Sequence, residues 1–445
     1  MLRALAPVSA LLISVAILLM GNGLQGTLLP VRAGIEAFST FDIGILGSAY
    51  FLGFALGCLL GPYAVRRVGH IRAFTAMVSI ASTTALLHVI VLNPAVWWVM
   101  RGLTGFCFAT LYMIIESWIN EKASNETRGF VFSVYTIINL TVITLGQMML
   151  TLTDPGTFVL FAVASVMISI AAVPVALTTS EAPAPLVSVR LRVGYLFQIS
   201  PVGFVGGFVV GLVNGAFWSL APIFAQRSGL STTGIALFMS ISVICGAAMQ
   251  WPLGAWSDRW DRRKVILVTC IGGALAGIGM FALHGSWKWG MLAFGAGFGA
   301  FAFPLYALCA AHMNDHVKPG GFVEASSGLL LMYVIGLLLL YAVGAISGPV
   351  VASAAVDLAG TAALFAYTAA AHVLFIGYTL YRMARRAPVE VEERTAFTES
   401  AVMAQAVSPI ETGPFEELSE HSEAAQEPKF DSGEQRQQGD GDRKT

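Results

Sequence analysis

The chain has 445 residues, 56% of them apolar and only 11% charged, with a formal net charge of −1 and a mean hydropathy of +0.74. A soluble domain carries roughly 25% charged residues, so an ordinary soluble fold is excluded and the chain belongs in a bilayer. No nucleic-acid partner is expected.

A helix needs about 20 apolar residues to cross the hydrocarbon core, because each residue rises about 1.5 Å. In chain order the apolar runs predict spans at 8–30, 43–65, 71–92, 95–119, 129–152 and 156–177, and after a break at 199–224, 233–256, 265–283, 289–311, 322–346 and 358–381. Helices are required because hydrocarbon offers no partner to a free backbone N–H or C=O. The runs are too long, and alternate too little, for the strands of a barrel. The first run, preceded by Arg3, is longer than the apolar region of a signal peptide and is expected to be retained.

Basic residues set the expected orientation. With the N-terminus inside, sixteen fall in cytoplasmic segments: Arg3, Arg66, Arg67, Arg72, Lys122, Arg128, Arg190, Arg192, Arg259, Arg262, Arg263, Lys264, Lys318, Arg382, Arg385 and Arg386. Only Arg32, Arg227 and Lys288 fall in outer loops. This excess predicts that both termini are cytoplasmic. The five cysteines (Cys58, Cys107, Cys245, Cys270, Cys309) all lie inside predicted spans, as small packing residues without disulfide or metal spacing. Beyond 385 the chain turns acidic and rich in Glu, Gln, Ser and Gly, which predicts a disordered cytoplasmic tail over 385–445.

The two halves repeat. Asn22-Gly23 with Pro30 recurs as Asn214-Gly215 with Pro222, Ser39-Thr40 as Ser231-Thr232, Gly53 and Gly61 as Gly246 and Gly254, and Gly129-Phe130-Val131 as Gly321-Phe322-Val323. The offset stays at 192 or 193 residues (214 against 22, 254 against 61), which marks an internal duplication. The expected organisation is a six-helix bundle over 1–178, a cytoplasmic linker over 179–197 containing Pro183 and Pro185, and a second six-helix bundle over 198–384. Parallel repeats of this kind place a cavity between them near mid-membrane and suit alternating access.

The loop after the eighth span reads Gly254-Ala-Trp-Ser-Asp258-Arg259-Trp-Asp-Arg262-Arg263-Lys264. It resembles the G-x-x-x-D-R-x-G-R-R/K signature of the major facilitator superfamily. Its first-half copy, Gly61-Pro-Tyr-Ala-Val65-Arg66-Arg67, has Val65 where the signature has Asp. In the fourth span, Arg101-Gly-Leu-Thr-Gly105-Phe-Cys-Phe-Ala109 resembles the family's R-x-x-x-G-x-x-x-A pattern. Glu116, followed by Arg128-Gly129, resembles the Glu…Arg-Gly arrangement found at the cytoplasmic ends of members. Gly69-His70-Ile71-Arg72, Glu116-Ser117 and Gln250-Trp251-Pro252-Leu253-Gly254 are further similar to the bacterial YcaD-like branch. The fifth span, with Thr144-Leu-Gly-Gln147, lacks the G-x-x-x-G-P-x-x-G-G element of drug/proton antiporters.

The resemblance implies an all-α membrane protein, with twelve transmembrane helices in two pseudo-symmetric six-helix bundles (the major facilitator fold). It also implies a multi-pass protein of the bacterial inner (plasma) membrane. Gating and charge-lock candidates are Gly61, Arg66, Glu116, Arg128, Gly254, Asp258, Arg259 and Arg262. Arg101 is an intramembrane cation, costly unless it meets a wet cavity or a partner. Polar groups at membrane depth rarely face lipid, so Asn22, Gln25, Gln147, Asn214, Trp218, Gln250, Tyr306 and Tyr333 join Arg101 as substrate-cavity candidates. No phosphate loop, metal-spaced cluster or nucleophile elbow is present, so no enzymatic activity, cofactor or metal is expected. The expected activity is secondary transport of a small solute, ion- or proton-coupled, by a monomer in the lipid bilayer. The alternative is a transporter-like sensor or assembly partner whose tail docks elsewhere.

Overall fold

The structure, a computed structural model, describes residues 2–124, 127–177, 197–316, 323–387 and 397, with side chains at 2–4 and 323–336 outside the described set. Residues 179–196 of the predicted linker and 388–396 and 398–445 of the predicted tail therefore lie outside the described residues, as does the Tyr333 side chain. What is described is all-helical, with twelve helices long and apolar enough to cross a membrane.

The helices are α1 (Ser9–Ile35), α2 (Thr40–Val68), α3 (His70–Ile90), α4 (Pro94–Lys122), α5 (Arg128–Met148), α6 (Val159–Ile170) and α7 (Ala172–Ala176). They continue with α8 (Pro201–Arg227), α9 (Thr232–Arg259), α10 (Arg262–Ala282), α11 (Lys288–Ala302), α12 (Leu305–Asn314), α13 (Val323–Ala359) and α14 (Ala363–Met383). The sequence offset reappears in these bounds. Helix α8 starts and ends 192 residues after α1 (201 against 9, 227 against 35), and α10 does the same relative to α3 (262 against 70, 282 against 90). Equivalent serines open the second helix of each half. Ser39 Oγ accepts from the Asp42 N–H at 3.0 Å, and Ser231 Oγ from the Gly234 N–H at 3.2 Å. Each satisfies one of the donors that a helix start leaves unpaired.

Three spans depart from the sequence reading, each near a proline. The sixth is split between α6 and α7 at Ala171, because Pro174 has no N–H to offer the carbonyl four residues back. Pro304 likewise divides the tenth into α11 and α12. The eleventh runs on to Ala359 rather than stopping at 346, and contains Pro349. Packed neighbours make such a proline tolerable at membrane depth. Ser347 Oγ bonds back to the Val343 carbonyl at 2.8 Å in the preceding turn.

Glycine decides how closely the helices approach. A Cβ on Gly105 (α4) would lie 2.9 Å from the Tyr50 carbonyl carbon and the Phe54 nitrogen, both backbone atoms of α2. A Cβ on Gly215 (α8) would meet the Ala345 backbone of α13. Large side chains on the opposite face of α2, Leu52, Leu56, Leu59, Leu60 and Tyr63, are exposed, as a lipid-facing stripe requires.

Candidate functional site

A cavity of about 500 Å³ lies where helices of both repeats meet. Its wall takes Asn22 from α1, Tyr50, Phe54 and Cys58 from α2, Arg101 and Tyr112 from α4, and Asn139 and Gln147 from α5. From the second repeat come Asn214 and Trp218 (α8), Gln250 (α9), Phe303 and Tyr306 (either side of the Pro304 break), and Tyr341 (α13). Asn22 and Asn214, equivalent in the duplication, thus face one space.

Of the cavity candidates, Asn22, Arg101, Gln147, Asn214, Trp218, Gln250 and Tyr306 line the wall. Gln25 does not: it is 0% exposed and absent from the wall. At 100° per residue, the lining positions 22, 23, 26, 27, 29 and 30 occupy one arc of α1, and residue 25 falls outside it.

The Arg101 guanidinium lies over the Tyr50 ring, 4.2 Å from its centroid. The ring face attracts the cation without accepting a directed hydrogen bond, and Arg101 Nη1 is buried without a hydrogen-bond partner among the described residues. The Asn22 side chain lies beside that of Tyr50 and the Asn214 side chain beside that of Tyr341. The Oδ1 atoms of Asn139 and Asn214 are buried without a hydrogen-bond partner among the described residues. In the second repeat, Trp218 stacks on Phe303 (centroids 5.5 Å apart, planes 9° apart) and Tyr306 meets Tyr341 edge-on at 5.2 Å. Arg101 is the single formally charged side chain on the described wall.

At the end remote from the N-terminus the repeats touch. Gln226 Nε2 donates to the Val31 carbonyl at 3.4 Å, and Arg227 Nη1 to Thr40 Oγ1 at 2.8 Å. A Cβ on Gly47 would run into the Ser219 side chain, and one on Gly44 into Ser353. Arg32, 7% exposed, caps this end by binding Glu36 at 2.7 Å and the carbonyls of Pro155 and Gly156.

The gating candidates lie at the other end, in two groups. In the first repeat, Gly61 faces Thr110 and Met113 of α4, which a Cβ would approach to 2.9 and 2.8 Å. Arg66 is exposed, beside the Tyr63 ring. Glu116 is 1% exposed and accepts from Tyr135 Oη at 3.2 Å. Arg128 opens α5. In the second repeat, Arg262 is 1% exposed and pairs with Asp315 at 2.8 Å and Asp258 at 3.3 Å. Arg259 is exposed. Gly254 is covered by the Phe397 ring, which is 4% exposed, and the Phe397 N–H donates to Asp258 at 2.9 and 3.2 Å.

Sequence reasoning passed over Tyr50, Asn139 and Tyr341. Tyr50, Phe54 and Cys58 repeat at i, i+4 and i+8, the spacing of one helix face, and Asn139 is polar at membrane depth by the same criterion that selected Gln147. Asp315 and Phe397 carried no local signal; their roles come from distant chain segments.

A family profile described as Major Facilitator Superfamily matches residues 11–332. Among curated proteins, the uncharacterized MFS-type transporter Ent638_1421 of Enterobacter sp. is 26% identical over 338 residues, 74% of this chain and 86% of that protein. The uncharacterized MFS-type transporter YcaD of Escherichia fergusonii is 24% identical over 332 residues, with the same coverage. Among solved structures, the nucleoside transporter NupG superposes with a TM-score of 0.70 at 14% identity, over 84% of this chain and 98% of that one. A bacterial homolog of the human lysosomal transporter Spinster, inward-facing and occupied, gives 0.65 at 14% identity, over 87% and 97%. At such identities the likeness concerns the fold.

Proposed function

The chain belongs to the Major Facilitator Superfamily, and on that premise we propose that it carries a small solute across the membrane by alternating access through the Arg101 cavity. The observation that carries this reading is the cavity itself. It is lined by both repeats, with the duplicated Asn22 and Asn214 on its wall, and the repeats meet at the end marked by Gln226 and Arg227. A cavity shared between two bodies changes its access when one rocks on the other. With the N-terminus cytoplasmic, as the basic residues argue, the closed end is the outer one and the conformation is inward-facing. In this reading residues 1–178 and 198–384 form the two moving bundles of a monomer in a bacterial inner membrane.

Coupling to an ion or proton belongs to the same proposal. Its support is Glu116, a buried carboxylate bonded to Tyr135, one helical turn from the cavity residue Tyr112. The other reading, a sensor that signals through its tail, is favoured by one observation, the seating of Phe397 on Gly254 and Asp258.

Uptake of a pooled metabolite library into proteoliposomes tests the proposal. Wild type should accumulate at least one solute, and a Gly34→Cys/Gln226→Cys pair should block that uptake when oxidised and restore it when reduced. A folded, correctly inserted protein that moves nothing, and whose output is abolished by removing the tail, would instead establish the sensor.

A further inference from the structure

The cavity wall is specific enough in its chemistry to name a class of ligand. An ionised guanidinium at membrane depth is costly unless it is paired. Arg101 has an aromatic face on one side and an unpartnered Nη1, and the described wall offers it no carboxylate. One positive charge matches one negative charge, and a guanidinium accepts a carboxylate through two parallel hydrogen bonds. A cationic solute would add repulsion, and a neutral one would leave the charge uncompensated. The second repeat contributes to the same cavity a flat aromatic surface in the stacked Trp218 and Phe303, suited to a planar ring. The same wall carries two acceptors without donors among the described residues, Oδ1 of Asn139 and of Asn214. A buried acceptor left unpaired is costly, so the ligand should bring N–H or O–H groups.

We propose that the Arg101 cavity binds an arylcarboxylate: a monoanion with a planar ring and at least one N–H or O–H donor. Its carboxylate pairs with Arg101, its ring lies against Trp218, and its donor meets the unpaired amide oxygens. Such a ligand touches both repeats at once, which is what ties its binding to their relative movement. The inference rests on the transporter reading of this cavity and names the chemistry of its cargo.

The test is calorimetric binding to the full chain in lipid nanodiscs, with probes that remove one feature at a time. Indole-3-acetate carries all three. Indole-3-acetamide lacks the charge and 1-methylindole-3-acetate the donor; cyclohexylacetate differs from phenylacetate in the planar ring, tryptamine reverses the charge of indole-3-acetate, and phenyl phosphate doubles that of phenylacetate. 4-Hydroxybenzoate and its amide form a second, smaller pair. The acids should bind at least tenfold more tightly than their amides, tryptamine and phenyl phosphate, and loss of the donor or the ring should each cost several-fold. Arg101→Gln should erase the difference between acid and amide, and Arg101→Lys should keep it. Trp218→Leu should erase the preference for aryl over cyclohexyl while keeping that for acid over amide. Failure of every acid to bind wild type overturns the proposal, as does an amide, amine or phosphate equal to the acid. Because the wild-type panel decides alone, a variant that fails to fold does not rescue it. If a neutral or cationic solute accumulates in proteoliposomes while no acid binds, the transporter reading stands and this inference falls.

Discussion

Replacing Gly105 by alanine puts the packing of α4 on α2 to a direct test. The new methyl would sit 2.9 Å from two backbone atoms of α2, the Tyr50 carbonyl carbon and the Phe54 nitrogen, and closer still to the Tyr50 carbonyl oxygen. Non-bonded carbon contacts are comfortable at about 3.5–4.0 Å. Backbone atoms have no rotamer by which to give way, so the helices must part by a sizeable fraction of an ångström. Overpacking of this kind costs roughly 1–3 kcal/mol. The same helix supplies the control one turn away: a Cβ on Gly102 would meet only the Ala49 carbonyl oxygen, at 3.5 Å, which is ordinary contact. In thermal unfolding of detergent-solubilised protein, followed by size exclusion, Gly105→Ala should melt well below wild type and Gly102→Ala close to it. Since Tyr50 carries the Arg101 guanidinium on its face, Gly105→Ala should also weaken solute binding without touching the cavity. Equal melting of the two variants would refute the claim that glycine sets this spacing.

The Arg262–Asp315 pair has both side chains at most 2% exposed, and removing one partner of a buried pair costs roughly 3–5 kcal/mol. Asp315→Ala should therefore unfold far more readily than Asp258→Ala, whose carboxylate is 36% exposed and 3.3 Å from Arg262; equal midpoints would contradict this. Arg32→Ala frees the carbonyls of Pro155 and Gly156, at about 1–3 kcal/mol for a buried group left unpaired, and amide exchange across 154–157 should rise. Phe397→Ala removes a ring whose burial contributes about 1.5–3 kcal/mol, so exchange in the last turn of α9 should quicken. Unchanged exchange there would show that the contact contributes nothing.

Much of the fold is legible in the sequence because hydrocarbon imposes one rule on every span: about 20 apolar residues, closed on themselves by hydrogen bonds. The offset between Asn22 and Asn214, or Ser39 and Ser231, is equally local information, and the bounds of α1 and α8, and of α3 and α10, repeat it residue for residue. Helix interruptions are less legible. Pro174 and Pro304 break their spans, whereas Pro349 lies inside a continuous helix. Proline in the sequence does not by itself mark a break, since Pro30, Pro62, Pro222 and Pro252 also lie inside continuous helices.

The candidate site divides along the same line. A polar side chain at membrane depth can be found by inspection, but its direction depends on the rotation of its helix, so Asn22 faces the cavity and Gln25, three residues on, is sealed away from it. Direction in turn depends on contacts made by residues with no polar signal at all. Arg101 is held over Tyr50 because Gly105 lets α4 lie against the backbone of α2. The cavity is therefore read best from its packing residues. The arginine supplies the charge, and the glycine one turn below it decides where that charge is presented.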